Sequence, residues 1–340
     1  MNSDNANGAT VGFISIKEGK ITITSRGDAI QATTDVTITG GEIIITSGGG
    51  SSTPVYSDMS AKGIKANVSV TIDGGIITAN SADDAVHSND KMTINGGVFV
   101  ISTGDDGFHA DSSLIINGGN ITISESYEGL ESATITINNG RIHIMSSDDG
   151  INVVGGNDAS GFDRGPGMPP GQDPFAYSSD YYLHIYGGYI YVDAMGDGID
   201  VNGVVEMTAG TLIINGPVAN DNGALDFGSF KITGGFMLAV GSSGMAQAPS
   251  STSAQSSVLL NIRSSIQAGT LVTIQSSDGT ILFGFVPTKI FSSIAVSSPT
   301  LKSGSTYNVY SGGSMTGTAI DGLYTDGIYT PGTLLGNFTA

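Results

Sequence analysis

The chain has 340 residues, 31 acidic side chains against 12 basic ones and a formal net charge of −19. That balance argues against nucleic acid as a partner, since phosphates are held by clustered Lys and Arg, and against anionic membrane surfaces. Cysteine is absent, which excludes a disulfide framework and thiolate metal sites, and no run of about 18 apolar residues marks a membrane span.

The first residues, MNSDNANGAT, show neither the basic nor the apolar stretch of a signal peptide. From Gly12 onward a small-residue turn recurs, at Gly40-Gly41, Gly74-Gly75, Gly96-Gly97, Gly118-Gly119, Asn139-Gly140, Gly187-Gly188, Ala209-Gly210 and Gly234-Gly235. The steps are 34, 22, 22, 21, 48, 22 and 25 residues, so the unit is about 22, lengthened by insertions near 47–57 and 155–179. Two residues before each turn stand Ile38, Ile72, Ile94, Ile116, Ile137, Ile185, Met207 and Ile232. Two residues past it stand Ile43, Ile77, Phe99, Ile121, Ile142, Ile190, Leu212 and Met237. A third apolar column, from Ile30 and Ile64 to Ile199 and Leu225, precedes the first by seven or eight residues.

Around these positions apolar and polar residues alternate, the period of short strands with one buried face. One coil cannot bury its own apolar side, so coils must stack, about 4.8 Å apart. The pattern predicts an all-β chain: a right-handed parallel β-helix of about nine coils over residues 1–248, the hand following the general rule for parallel crossovers. Asn95, Asn117 and Asn138 precede successive turns and are placed to form an amide ladder. Residues 249–340 lose the repeat and read as a small antiparallel β unit capping the last coil.

A second repeat is chemical. Asp83-Asp84, Asp105-Asp106, Tyr127-Glu128, Asp148-Asp149 and Gly196-Asp197 each precede the third apolar column by two residues, in phase with the coils. Like charges about 5 Å apart repel by roughly 3 kcal/mol at an effective dielectric near 20, so protons or cations must relieve them. Clustered hard oxygens suit Ca²⁺. The expected ligands are Asp83, Asp84, Asp105, Asp106, Asp111, Glu128, Glu131, Asp148, Asp149, Asn152, Asp197 and Asp200, with Asp226 a further oxygen. Asp-Gly pairs also make ordinary turns, but turns do not require doubled acids in register. No EF-hand or glycine-rich nonapeptide pattern is present.

His87 and His109 occupy equivalent places, pointing outward above one another as ligand contacts, as orienters of the acids or as plain exposed imidazoles. Lys62 falls in the acid column, where a uronate lyase would want a base. Near the Pro- and Gly-rich 155–179 insertion stand Tyr177, Tyr181, Tyr182, Tyr186, Tyr189 and Tyr191, flat rings of the kind sugars stack on or, equally, surface tyrosines. Tyr181, Tyr182, Tyr189 and Tyr191 are the expected contacts; His143 and His184 sit on outward strand positions and carry less signal.

The runs Asp83-Asp84-Ala85-Val86-His87-Ser88, Asp105-Asp106-Gly107-Phe108-His109-Ala110-Asp111, Tyr127-Glu128-Gly129-Leu130-Glu131 and Asp148-Asp149-Gly150-Ile151-Asn152 resemble a bacterial and archaeal family of secreted carbohydrate-binding β-helix proteins. Its characterised clostridial members bind cellulose and polygalacturonate and carry calcium between coils; the related pectate lyases share the fold. The resemblance implies an extracellular, calcium-containing binder of acidic or cellulosic polysaccharide, acting without catalysis. Two alternatives stay open: a subunit that self-associates into filaments or a surface layer, and a calcium-dependent polysaccharide lyase.

Overall fold

The computed structural model describes residues 1–3, 12–55, 59–154 and 177–340, all strand, turn and loop, with no helix among them. Each coil contributes three short strands, typified by Val86–Ser88, Lys91–Ile94 and Val98–Thr103. Every strand pairs in parallel with its counterpart one coil away, which gives three strand columns. The third column holds nine parallel strands, from Lys20–Ser25 to Phe236–Gly241. The first two columns merge where Ile199–Met207 runs through both, pairing with Ile151–Val153 and with Tyr182–Ile185.

The register is the one the repeat demands. Ile38 faces Ile72, then Ile94, Ile116, Ile137, Ile185, Met207 and Ile232 in unbroken succession, and all eight are fully buried. Stacking like on like fills one continuous apolar column, and Phe99 meets Phe108 edge to face at 5.3 Å inside it. The second residue of each turn takes a positive φ, 97° at Gly41 and 121° at Gly140, which explains why this position is always glycine. Outside the turns, Asn117 Nδ2 donates to Asn95 Oδ1 and Asn138 Nδ2 to Asn117 Oδ1, both at 2.7 Å, so the amide ladder forms.

The C-terminal unit does more than close the last coil. Phe291–Ser297 lies antiparallel against Phe236–Gly241, and Ser257–Ile266 pairs outside it. The chain then makes a five-stranded antiparallel sheet. Its Val272, Ile274, Phe283 and Phe285 pack in one cluster with Ile213, Leu238 and Val240 of the last coils, so the sheet covers the flank of the third column. Leu212-Ile213-Ile214 and Phe236-Met237-Leu238-Ala239-Val240 break the strict alternation for this reason, being buried on both faces. Polar links pin the seam: Asp321 Oδ2 meets Arg141 Nη2 at 3.1 Å and accepts from Tyr189 Oη at 2.8 Å. Lys289 Nζ lies 2.8 Å from Asp193 Oδ1.

Candidate functional site

The acids sit on the turn from the third column back to the first, and that turn is stacked by its own backbone. The carbonyls of Asp84, Asp106, Glu128, Asp149 and Asp197 accept from the amides of Gly63, Ala85, Gly107, Gly129 and Gly150 of neighbouring coils, at 2.8–3.1 Å. Superposed backbones force superposed side chains. The glycine after Asp106, Glu128, Asp149 and Asp197 is not a left-handed turn residue: a Cβ on Gly107, Gly129, Gly150 or Gly198 would stand 2.4–2.6 Å from the carbonyl of the next coil. Close coil approach favours glycine on these four coils, while Ala85 follows Asp84 on the coil before them.

Three residues further on, a second row runs beside the first. Lys65, His87, His109, Glu131, Asn152 and Asp200 face one another in order on successive coils. Much of both rows is buried: Asp83, Asp84, Asp106, Glu128, Glu131 and Asn152 are 2 % exposed or less, and Asp105 and Asp197 are 7 % exposed, while Lys65, His87, His109, Asp148, Asp149 and Asp200 are half-buried.

The expected ligands gather into groups whose ligand atoms lie within 4.8 Å of one another: Asp83 with Asp84 and Asp105, Asp84 with His87 and His109, Asp106 with His109 and Glu131, and Asp149 with Asp197 and Asp200. Glu128 stands aside from these groups, accepting from Asn152 Nδ2 at 2.8 Å. Asp111 sits at the rim, its Oδ1 3.3 Å from His109 Nε2. Asp148 lies near enough to Asp149 and Asp197 to raise both by its charge.

The electrostatics divide the row. Lys62 Nζ bridges Asp83 Oδ1 at 2.5 Å and Asp84 Oδ2 at 2.6 Å. Burial would lower the Lys62 ammonium, but the charges of Asp84 and Asp83 outweigh it and hold it above its ordinary range. Burial would likewise raise Asp84, yet Lys62 and His87 keep it well below the usual carboxylate range. Lys62 thus stands as a counter-charge to both carboxylates. Further along, burial and then Asp106, Asp84 and Asp83 push Asp105 up to about 9. Burial and the charges of Asp197, Asp148 and Asp200 push Asp149 up to about 8. Asp197 rises to about 7, again chiefly through burial. Asp149 and Asp197 accept from backbone amides: Asp197 N donates to Asp149 Oδ1 at 2.6 Å and Gly223 N to Asp197 Oδ1 at 2.5 Å. Three carboxylates converging where no basic side chain relieves Asp149 or Asp197 among the described residues suit a hard divalent cation.

The candidate sugar contacts divide in the same way. His87 and His109 are not free outward faces; their rings stack at 4.7 Å, their side chains are 12 % exposed, and Nδ1 of each turns into the ladder. Tyr181 packs against the main core, and Tyr189 and Tyr191 sit against the C-terminal sheet. Tyr182 remains on an outer face, stacked on His184 at 4.3 Å, with the 42 % exposed Tyr186 next in line, 5.6 Å from the His184 ring. The sequence offers Tyr186 among the aromatic candidates and places His184 outward with little signal, while the spacing 182, 184, 186 along and just past the strand Tyr182–Ile185 puts all three rings on one side. Most of the Pro- and Gly-rich 155–179 insertion lies outside the described residues.

A model of a family described as carbohydrate-binding domain-containing protein matches residues 1–107 and 105–150 of this chain. No curated protein and no solved structure matches it. The matched stretch carries the acids from Asp83 to Asp149, with Lys62, His87 and His109 among them.

Proposed function

We propose that this chain is an extracellular, non-catalytic polysaccharide-binding β-helix, stiffened by Ca²⁺ at Asp149, Asp197 and Asp200. The observation that carries the reading is the match to a carbohydrate-binding family over residues 1–107 and 105–150, the coils that hold the acids from Asp83 to Asp149; Asp197 and Asp200 lie beyond it. Calcium is supported by the donor set: oxygens only, buried or half-buried, with Asp149 and Asp197 raised first by burial and then by neighbouring carboxylates. Asp148 and Asn152 Oδ1, a buried acceptor with no hydrogen-bond partner, stand on the same coil as Asp149 and are further oxygens for the ion. The ion neutralises the carboxylates and ties neighbouring coils together. Extracellular modules typically hold calcium at about 10⁻⁴–10⁻³ M, the regime in which such a clamp is filled outside a cell.

For the sugar, the row Tyr182, His184 and Tyr186 offers flat rings beside Thr136 and Glu206, which face His184 from the two adjoining coils. Lys62, held as an ammonium between two carboxylates, lends no support to the lyase alternative. The test is retention on insoluble pectate and on cellulose, with calcium and with chelator, for the native chain and for Tyr182→Ala with Tyr186→Ala. Retention that falls in the double variant supports the reading; native protein passing through both matrices in calcium overturns it.

A further inference from the structure

The loop of the first insertion packs against the acid ladder and encloses space there. Residues 51–55 form one wall of a cavity of about 310 Å³, and Ala82, Gly104 and Asp105 form the other. Side chains of several coils hold the loop in place. Ser51 Oγ and Ser102 Oγ both donate to Glu125 Oε2, at 2.7 and 2.6 Å, and Ser51 N donates to Asn80 Oδ1 at 2.7 Å. A Cβ on Gly104 would stand 2.8 Å from the Ser51 carbonyl, so the two walls meet along one edge.

One wall carries a carboxyl with an oxygen left over. Asp105 is 7 % exposed, and its Oδ1 is buried and meets no hydrogen-bond donor among the described residues. The acids one coil back are answered from within: Lys62 Nζ reaches Asp83 and Asp84, and Ala61 N donates to Asp83 Oδ2 at 3.0 Å. A buried acceptor without a donor is costly, so a cavity beside it calls for a ligand that donates. A second cation there would meet the Lys62 ammonium, whose charge already reaches Asp105. An anion would meet Asp105 and, behind Ser51, Glu125. A hydroxyl both donates and accepts, so it suits the Asp105 carboxyl in either protonation state.

The rest of the lining fits a sugar. Pro54, Val55 and Ala82 give apolar surface for the C–H face of a ring, and Ser52 and Thr53 bring hydroxyls. Ligand cavities run from about 300 to 1,000 Å³, and this one stands at the small end, with room for a short sugar rather than a long chain. We propose that the cavity between residues 51–55 and Asp105 is a subsite for a neutral sugar unit whose hydroxyls Asp105 holds, separate from the rings at Tyr182. Such a subsite rests on the polysaccharide reading and narrows it: here a neutral hexose is taken and a uronate refused.

Cellobiose is titrated into the full chain by ligand-observed NMR, in calcium and in chelator, with digalacturonate as competitor. Cellobiose should bind alike in both media and in Tyr182→Ala with Tyr186→Ala, and digalacturonate should not displace it. Asp105→Ala removes an unsatisfied buried acceptor, so it should fold at least as stably as the native chain and weaken cellobiose by at least about tenfold. Ser52→Trp, a bulky ring at an exposed position of the other wall, should weaken it as much by filling the space. Cellobiose binding undiminished in both folded variants, or displaced by digalacturonate, overturns the subsite. Native chain retained on cellulose or pectate that binds no cellobiose overturns the subsite and leaves the polysaccharide reading standing. Native chain that is neither retained nor binds cellobiose overturns both.

Discussion

Around Asp84 the acid ladder carries its own cation, Lys62 across two carboxylates, with the His87 ring against the second. Around Asp197 the same ladder, in the same register, meets backbone amides and other carboxylates. The backbone geometry of the two stretches is alike, because stacked carbonyls and amides hold both turns. What differs is where the counter-charge comes from: covalently supplied in the first and, on the calcium reading proposed above, recruited from solution in the second. A repeat can therefore keep its shape while its dependence on the medium changes from coil to coil.

The sharpest way to break the comparison is to make the first stretch as cation-poor as the second. Lys62→Met leaves Asp83 and Asp84 buried without their ammonium, and truncating one partner of a buried pair costs about 3–5 kcal/mol. Urea unfolding should show that loss, and Asp84→Asn in the same chain should recover much of it. Calcium removal strikes the other stretch. An ion present at about a hundred times its Kd, as about 10 mM calcium would be, stabilises by roughly 2.7 kcal/mol, so chelation should lower the melting temperature of the native chain and of Lys62→Met alike. Asp149→Asn with Asp197→Asn should melt at one temperature with or without calcium. Native melting indifferent to chelator would show that the second stretch recruits no ion.

A milder effect follows from pH. Asp149, near 8, and Asp197, near 7, are raised in the folded chain above ordinary carboxylates, so in metal-free protein the folded state binds protons the unfolded state has released. That stability is fully present below about pH 4 and is lost as pH rises through 7 to 8. Calcium, which binds the ionised form, gains over the same interval. Urea midpoints of chelated protein should therefore fall between pH 5 and pH 9, and added calcium should recover most at the alkaline end. The smallest effect belongs to a ladder that needs no ion at all: Asn117→Ala, which removes two exposed amide bonds, should cost about 1 kcal/mol or less in the same assay.

Much of the fold was legible because stacking makes each coil repeat its neighbour's demands. Ile38 and Ile232 are far apart in sequence, yet the same rule of like above like fixes both, and the acids inherit their register from it. The site was half legible. Periodicity places Asp84 beside Asp106, but whether a charge is met by Lys62, by an imidazole or by nothing depends on rotamers that period-22 reading does not carry. His87 and His109 looked outward by strand alternation and are turned back by Asn89 and Asp111, a local choice between two ring nitrogens. Docking of the C-terminal sheet on a flank depended on complementarity between distant apolar surfaces, although the unbroken run Phe236 to Val240 marked one of them. Tyr189 and Tyr191 were drawn into that seam and away from solvent.

The strand Phe291–Ser297 runs backwards against the last coil, and a reversed strand cannot template another turn of the same winding. It is a stop signal written in hydrogen-bond direction. Rod length is consequently set upstream: duplicating one 22-residue unit between Gly97 and Gly119 would extend the molecule by about 4.8 Å, translating the terminal sheet as a rigid body. Size in this architecture behaves like a counter that increments in whole coils while both end pieces stay unaltered.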